Sequence, residues 1–203
     1  DDDIVAIGRL ADRVYEIARE VVPPAQRGGV SVSVSCSVFI PKAATPFQWC
    51  AQTPDDEVRR RQQLLLRSVR NRAVRVHYHD AETSLIEAVL SRGGRDIADL
   101  VEAVWRRGAR FDAWTEQFSL DRWEQAAGEV GIDLRAVART PYRLDERLPW
   151  EHVSCGVSRG YLEREYRRAL EGVTTPDCTR SSCTGCGVCP TLHVSNVLAG
   201  ERS

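Results

Sequence analysis

Methionine is absent from the 203 residues, and lysine occurs once, as Lys42, among 28 basic residues. Because translation normally starts at methionine, a chain that opens on Asp1 is interpreted as a piece of a longer polypeptide. An excess of arginine over lysine is typical of a G+C-rich genome, so the basic residues by themselves indicate no function.

The chain also lacks a large net charge and a long apolar run. Its formal charge of −1 gives no electrostatic reason to expect a nucleic acid or an acidic membrane as partner. No apolar run approaches the roughly 18 residues of a membrane helix, and we see no signal-peptide pattern. With 42% apolar and 28% charged residues, the chain is predicted to be globular and cytoplasmic.

Four of the seven cysteines lie close together, in the pattern Cys178-x4-Cys183-x2-Cys186-x2-Cys189. In a reducing compartment such clustering favours a metal site over disulfides. Structural zinc often uses two C-x2-C pairs separated by a longer loop, whereas the compact spacing here is closer to iron–sulfur runs. Both metals stay open at this point, with His193 as a spare candidate ligand.

Other cysteines and the tryptophans are predicted to have ordinary roles. Cys36 is expected to be a small buried apolar residue, and Cys50 and Cys155 are isolated in sequence. Core packing is expected for Trp105, Trp114, Trp123 and Trp150.

Hydrophobic periodicity predicts a chain rich in helix with two strands. The predicted helices cover 3–22, 53–71, 81–92, 97–108, 119–131 and 158–170, and the predicted strands cover 30–40 and 73–79.

The first strand has one apolar face and one serine face, which includes Ser33 and Ser35. In an antiparallel sheet the serines would meet water. In an α/β barrel they would instead point inward and leave room for a bound molecule. The loop that follows, residues 41–49, contains Lys42 and Phe47 at the end of the strand where α/β proteins build their sites.

Two smaller polar groups have competing interpretations. The segment 77–80 places two histidines on one strand face beside Asp80, so metal or acid–base chemistry competes with ordinary polar contacts, which are commoner. Arg92 and Arg95 flank a glycine pair, where they would either grip an anion or lie in a solvated turn; the abundance of arginine favours the turn.

Residues 32–49 read VSVSCSVFIPKAATPFQW and resemble the last barrel strand and following loop of B12-binding-type radical SAM proteins. Segments 84–95, 108–116, 148–152, 156–157 and 175–178 resemble one subgroup of that superfamily in the same order. The resemblance covers nearly the whole chain.

That resemblance implies an intact protein with an N-terminal cobalamin-type domain and a SAM barrel. In that family a Cys-x3-Cys-x2-Cys motif holds the 4Fe–4S cluster that cleaves SAM. This chain has no such motif, so the motif is expected upstream, and the chain alone is expected to be inactive. Ser33, Ser35, Lys42 and Phe47 would lie on the SAM or substrate side of the barrel.

The expected fold is α/β and divides into four parts: barrel remnant at 1–50, mainly helical extension at 51–175, Cys-rich metal segment at 176–190, and flexible tail or linker at 191–203. We expect Cys178, Cys183, Cys186 and Cys189 to hold an accessory iron–sulfur cluster, with zinc as the alternative. The alternative function is a non-enzymatic zinc-knuckle module that binds protein or RNA; the near-neutral charge disfavours the RNA partner.

Overall fold

The computed structural model describes residues 1–196, which form eight α-helices, one 3-10 helix and two β-strands. The helices are α1 (Asp2–Val21), α2 (Asp55–Ser68), α3 (Ala81–Arg92), α4 (Ile97–Arg106), α5 (Leu120–Val130), α6 (Leu134–Arg139), α7 (Arg159–Leu170) and α8 (Val188–Leu192). The strands are β1 (Val32–Cys36) and β2 (Val74–Tyr78), and the 3-10 helix covers Pro24–Gly29. No helix within residues 1–196 is long and apolar enough to cross a membrane.

The two strands are parallel neighbours, and α2 forms the connection between them. Val32 pairs with Val74 and Cys36 with Tyr78. Two parallel strands need such a crossover, because a tight turn reverses the chain direction and can join only antiparallel strands. The α/β class is therefore confirmed. The paired part of β1 is shorter than the predicted strand 30–40, and Ile40 instead packs against the helices as a buried residue.

One face of the strand pair is covered by helices. Helix α1 packs against α2 and contacts both strands. The helices approach each other closely at Gly8, because a Cβ atom at that position would overlap the hydroxyl of Ser68. A glycine is therefore required at this crossing.

The main core lies farther along the chain, among α3, α4, α5 and α6. It includes the fully buried Leu85 and Leu100 and the nearly buried Trp123. A smaller apolar cluster of Trp49, Leu148 and Leu162 joins the loop after β1 to α7. The loop after β1 is thus held by helices on both sides.

Several local expectations were wrong. Trp105 and Trp114 are 55% and 62% exposed, so they do not pack in the core. Helix α6 was not predicted, because it has only six residues between two irregular segments. Its start is nevertheless encoded by Asp133, whose carboxylate accepts hydrogen bonds from the N–H groups of Arg135 and Ala136.

The predicted division of the chain stays a prediction, although β2 pairs with β1 across the boundary placed after residue 50. The segment predicted as a tail, 191–203, includes the end of α8 at Leu192. Residues 197–203 lie outside the described residues.

Candidate functional site

The cysteine segment, which we define as residues 177–192, follows α7 and ends in α8. Its first turn is fixed by Asp177, whose carboxylate accepts hydrogen bonds from the backbone N–H and the hydroxyl of Thr179, both at 2.9 Å. The backbone hydrogen bond from Thr179 lowers the pKa of Asp177 from its ordinary value. Asp177 thus forms an Asx turn immediately before Cys178.

The cysteine segment lies against the beginning of α7. The N–H of Ser158 donates to the carbonyl of Cys186 at 2.8 Å. Arg164 donates to the carbonyl of Thr184 at 2.9 Å, and the hydroxyls of Tyr161 and Thr184 lie 3.4 Å apart. These contacts attach the middle of the segment to one helix end.

Two glycines allow the close approach. Gly187 has φ of +97°, and a Cβ there would lie 3.2 Å from the carbonyl oxygen of Gly156. Gly156 has φ of +86°, and a Cβ there would lie 3.1 Å from the Cγ of Leu192. Residues with a side chain rarely adopt this left-handed backbone conformation. Both positions therefore favour glycine for two reasons, the backbone conformation and the lack of space for a Cβ atom.

All seven cysteines are free thiols. In the cysteine segment Cys183 is exposed, whereas Cys178, Cys186 and Cys189 are half-buried. The N–H of Gly185 donates to the sulfur of Cys183 at 3.4 Å, a contact that suits a thiolate ligand. Four thiols within twelve residues match the donor set of zinc or iron–sulfur.

The four thiols lie farther apart in space than their closeness in sequence suggests. Within residues 1–196, no three His, Cys, Asp or Glu side chains lie close enough together to hold a metal ion. His193, the spare candidate ligand, is exposed and follows α8 with φ of +53°. The metal centre therefore remains a prediction from donor chemistry.

Ser33 and Ser35 lie on the face of the strand pair opposite the apolar residues, and both are exposed. The register places Ser33 beside Arg75 and Ser35 beside His77, which are exposed as well. This face is therefore polar, and no described helix shields these four side chains from solvent.

Lys42 and Phe47 turn away from that face toward the helices. The Lys42 ammonium lies 2.5 Å from the Glu87 carboxylate on α3 and 3.1 Å from the Ser91 hydroxyl. The Phe47 ring packs edge-on against Phe39 at 5.8 Å and against Tyr166 of α7 at 6.1 Å. The four residues predicted to bind a cofactor are thus not brought into one cavity in this structure.

A cavity of about 330 Å³ does lie at the carboxyl ends of the strands. Residues from α1, α2 and the end of β1 surround it, including Ile7, Val58 and Leu65 together with Phe39 and Tyr78. The cavity is mainly apolar, and it lies on the helix side of the strand pair.

The favoured interpretation of Arg92, a solvated turn, was wrong, because the side chain is enclosed by the protein. It is fully buried, and its guanidinium donates to the backbone carbonyls of Cys50 and Thr140, the latter at 2.6 Å. The guanidinium also lies 4.7 Å from the Tyr142 ring centroid. Arg92 therefore fastens the loop after β1 to the end of α6.

Burial shifts the pKa values of Arg92 and of its neighbour Tyr142. Burial lowers the pKa of Arg92, and electrostatic interaction with Tyr142 and Cys50 opposes that shift. Burial also raises the pKa of Tyr142. Arginine stays charged even so, given its very high ordinary pKa. The arrangement is a structural cation held by carbonyl dipoles, and no signal in the sequence other than the neighbouring glycine pair marks it.

The histidine group has a structural explanation in part. The Asp80 carboxylate caps α3 by accepting hydrogen bonds from Glu82 and Thr83 at 2.8 and 3.1 Å. His77 and His79 are both exposed. Asp80 is therefore occupied by helix capping.

A scan against protein-family models and searches of curated proteins and solved structures find no match to this chain. The resemblance to radical SAM proteins therefore rests on the sequence motifs themselves.

Proposed function

We propose that this chain is the C-terminal portion of a radical SAM protein and that its four clustered cysteines hold an accessory iron–sulfur cluster. The observation that carries the proposal is the parallel pair β1–β2, with helices on one face and serines on the other. Parallel sheets in proteins are normally covered on both faces. A bare two-stranded parallel unit is therefore best completed by further strands of an α/β barrel.

In such a barrel the bare face would line the interior. Ser33 and Ser35 would then leave room for SAM or for a substrate, since their side chains are small. The loop that carries Lys42 and Phe47 follows the carboxyl end of β1, where barrel enzymes place their sites. Its attachment through Arg92 supports a loop of fixed shape.

The metal part of the proposal rests on the cysteine segment. Cys178, Cys183, Cys186 and Cys189 supply soft sulfur donors, and the glycine turns bring a backbone N–H to one sulfur. A bound cluster would supply one-electron transfer, tuned by such hydrogen bonds. The SAM-cleaving cluster and any cobalamin would belong to the part of the intact protein upstream of Asp1, so the present chain alone is proposed to be inactive.

Anaerobic reconstitution with iron and sulfide tests the metal. We expect a brown protein with cluster absorbance, an EPR signal after reduction, and iron and sulfide in equal amounts. Cys186→Ser should lose most of the bound iron. Cys36→Ser is the matched control, because Cys36 is a half-buried thiol on β1, and it should retain the cluster.

A colourless protein with one equivalent of zinc would contradict the iron–sulfur proposal and favour the zinc-knuckle module. Gel shift with RNA at moderate salt then distinguishes an RNA partner from a protein partner. The family proposal has its own test, because the reading frame upstream of Asp1 should encode Cys-x3-Cys-x2-Cys. A frame without that motif would contradict it.

A further inference from the structure

A second cavity, of about 290 Å³, lies between the loop after β1 and the segment that leads into α7. Its walls include the side chains of Gln48, Trp150, Cys155 and Leu162. Small-molecule sites commonly have volumes of about 300–1,000 Å³, so this cavity suits a small ligand. It is separate from the bare strand face and from the four clustered cysteines.

Gln48 in the cavity wall has a side-chain amide of fixed orientation. The side chain is 4% exposed, and its Oε1 accepts hydrogen bonds from the Trp150 indole at 2.8 Å and the Ala44 N–H at 3.0 Å. These two donors fix which way the amide points. Within residues 1–196 its Nε2 makes no hydrogen bond, and Gln48 lines the cavity, so the amino group is available to a ligand bound there.

The cationic residue in the wall, Arg159, is already paired with protein groups. Arg159 donates to the Glu163 carboxylate at 2.9 Å, to the carbonyl of Glu146 at 2.9 Å and to the carbonyl of Leu144, and it pairs with Glu151. All three guanidinium nitrogens are therefore used. With this cation engaged and the Glu151 carboxylate also in the wall, the cavity favours a neutral ligand over a phosphate or carboxylate.

We propose that this cavity binds a small neutral carbonyl compound. The ligand's oxygen accepts a hydrogen bond from Gln48 Nε2, and its apolar part lies against Trp150 and Leu162. The exposed thiol of Cys155 belongs to the same cavity, so an electrophilic carbon next to the carbonyl meets a nucleophile. This inference does not depend on the proposed radical SAM function.

Iodoacetamide is a probe of matching chemistry, because it carries a neutral carbonyl next to an electrophilic carbon. The Cys155 sulfur forms a bond to that carbon, iodide leaves, and the thiol proton passes to solvent. Mass spectrometry of the Cys155 peptide gives the rate in the folded protein and in urea. We expect the folded rate to saturate with reagent concentration and to exceed the unfolded rate at least tenfold. Iodoacetate, the anionic counterpart, should show no such gain.

Two variants test the role of Gln48. Gln48→Glu keeps the acceptor for Trp150 and Ala44 but replaces the donating amino group, and Gln48→Met removes both groups without adding charge. Each should remove the saturation and lower the iodoacetamide rate at Cys155 about tenfold, with the melting temperature recorded as a check on folding. Three results would overturn the proposal: a rate that rises linearly with reagent concentration, a folded-to-unfolded rate ratio that is the same for iodoacetamide and iodoacetate, or an unchanged rate in the folded Gln48 variants. Cys155 would then be an ordinary exposed thiol.

Discussion

The helical body formed by α3–α6 and the cysteine segment at 177–192 are held by different forces. The body encloses fully buried side chains such as Leu85 and Leu100, and burying a leucine contributes about 1.5–3 kcal/mol. By contrast, no residue from 171 to 196 is buried. The segment depends on a few hydrogen bonds to α7, each contributing about 0.5–1.5 kcal/mol.

This difference suggests where a metal would matter. Burial can order the helical body without any cofactor. A segment without buried residues, rich in glycine, serine and threonine, needs another source of stabilising free energy. Metal–thiolate bonds supply folding free energy in small metal-binding domains. Each variant below weakens one region, and measurements on the other region show whether the two are coupled.

The largest effect is expected from Arg92→Leu in the body. The substitution leaves the carbonyls of Cys50 and Thr140 buried without this donor, and each buried acceptor left unsatisfied costs about 1–3 kcal/mol. Urea unfolding monitored by circular dichroism measures the loss. The cysteine segment should still bind metal in the fraction that folds, because none of its contacts involves Arg92.

Arg95→Ala is the control for that experiment. Arg95 belongs to the same glycine-flanked motif but is exposed, so its loss should change the free energy of unfolding by no more than about 0.5 kcal/mol. Equal effects of the two substitutions would show that the buried contacts of Arg92 do not stabilise the body.

A smaller effect is expected from Gly156→Ala, which touches the other region. The added methyl group would strain a left-handed residue and press against Leu192, at a cost of about 1–2 kcal/mol. Because the damage lies where the cysteine segment meets α7, metal affinity measured by competition with a chelator should fall about tenfold. Gly160→Ala is the control, since a Cβ there meets nothing within 4 Å; an equal loss of affinity in both would contradict the docking argument.

The smallest effect concerns the acid sensitivity of α2. Hydrogen bonds from Arg60 and Arg61 lower the pKa of Glu57 to about 2 from its ordinary 4.5. A lowered pKa contributes stability that is present above the ordinary value and is lost as the pH falls from about 4.5 to about 2. Glu57→Gln should therefore lower the urea midpoint near pH 6 and converge with the unmodified protein near pH 2.

Asp56→Asn provides the comparison for the pH series. Asp56 is exposed in the same helical turn and forms no ion pair within the described part of the chain. A pH-dependent difference of the same size for Asp56→Asn would mean that Glu57 has no special role.

The sequence predicted local elements better than their assembly. Periodic apolar residues place α1 and α3 almost to the residue, because helix packing needs one apolar side. The parallel pairing of β1 with β2 was not predicted, since alternation gives the faces of a strand but not its neighbour.

The candidate site was predictable only where the spacing of residues in the sequence indicates a chemical role. The clustered cysteines can be identified from sequence alone, but their attachment to α7 through Ser158 depends on tertiary contacts. Arg92 shows the opposite case. One arginine among many gives no pattern that separates a buried guanidinium from a solvated one, so its role appears only when Cys50 and Thr140 are brought to it by the fold.

Hydrogen–deuterium exchange of the reconstituted and the chelated protein tests the central contrast most directly. We predict that the metal raises amide protection across residues 177–192 and at the beginning of α7 by at least tenfold, while protection in α3–α6 stays unchanged. Equal protection of the cysteine segment with and without metal would contradict the account.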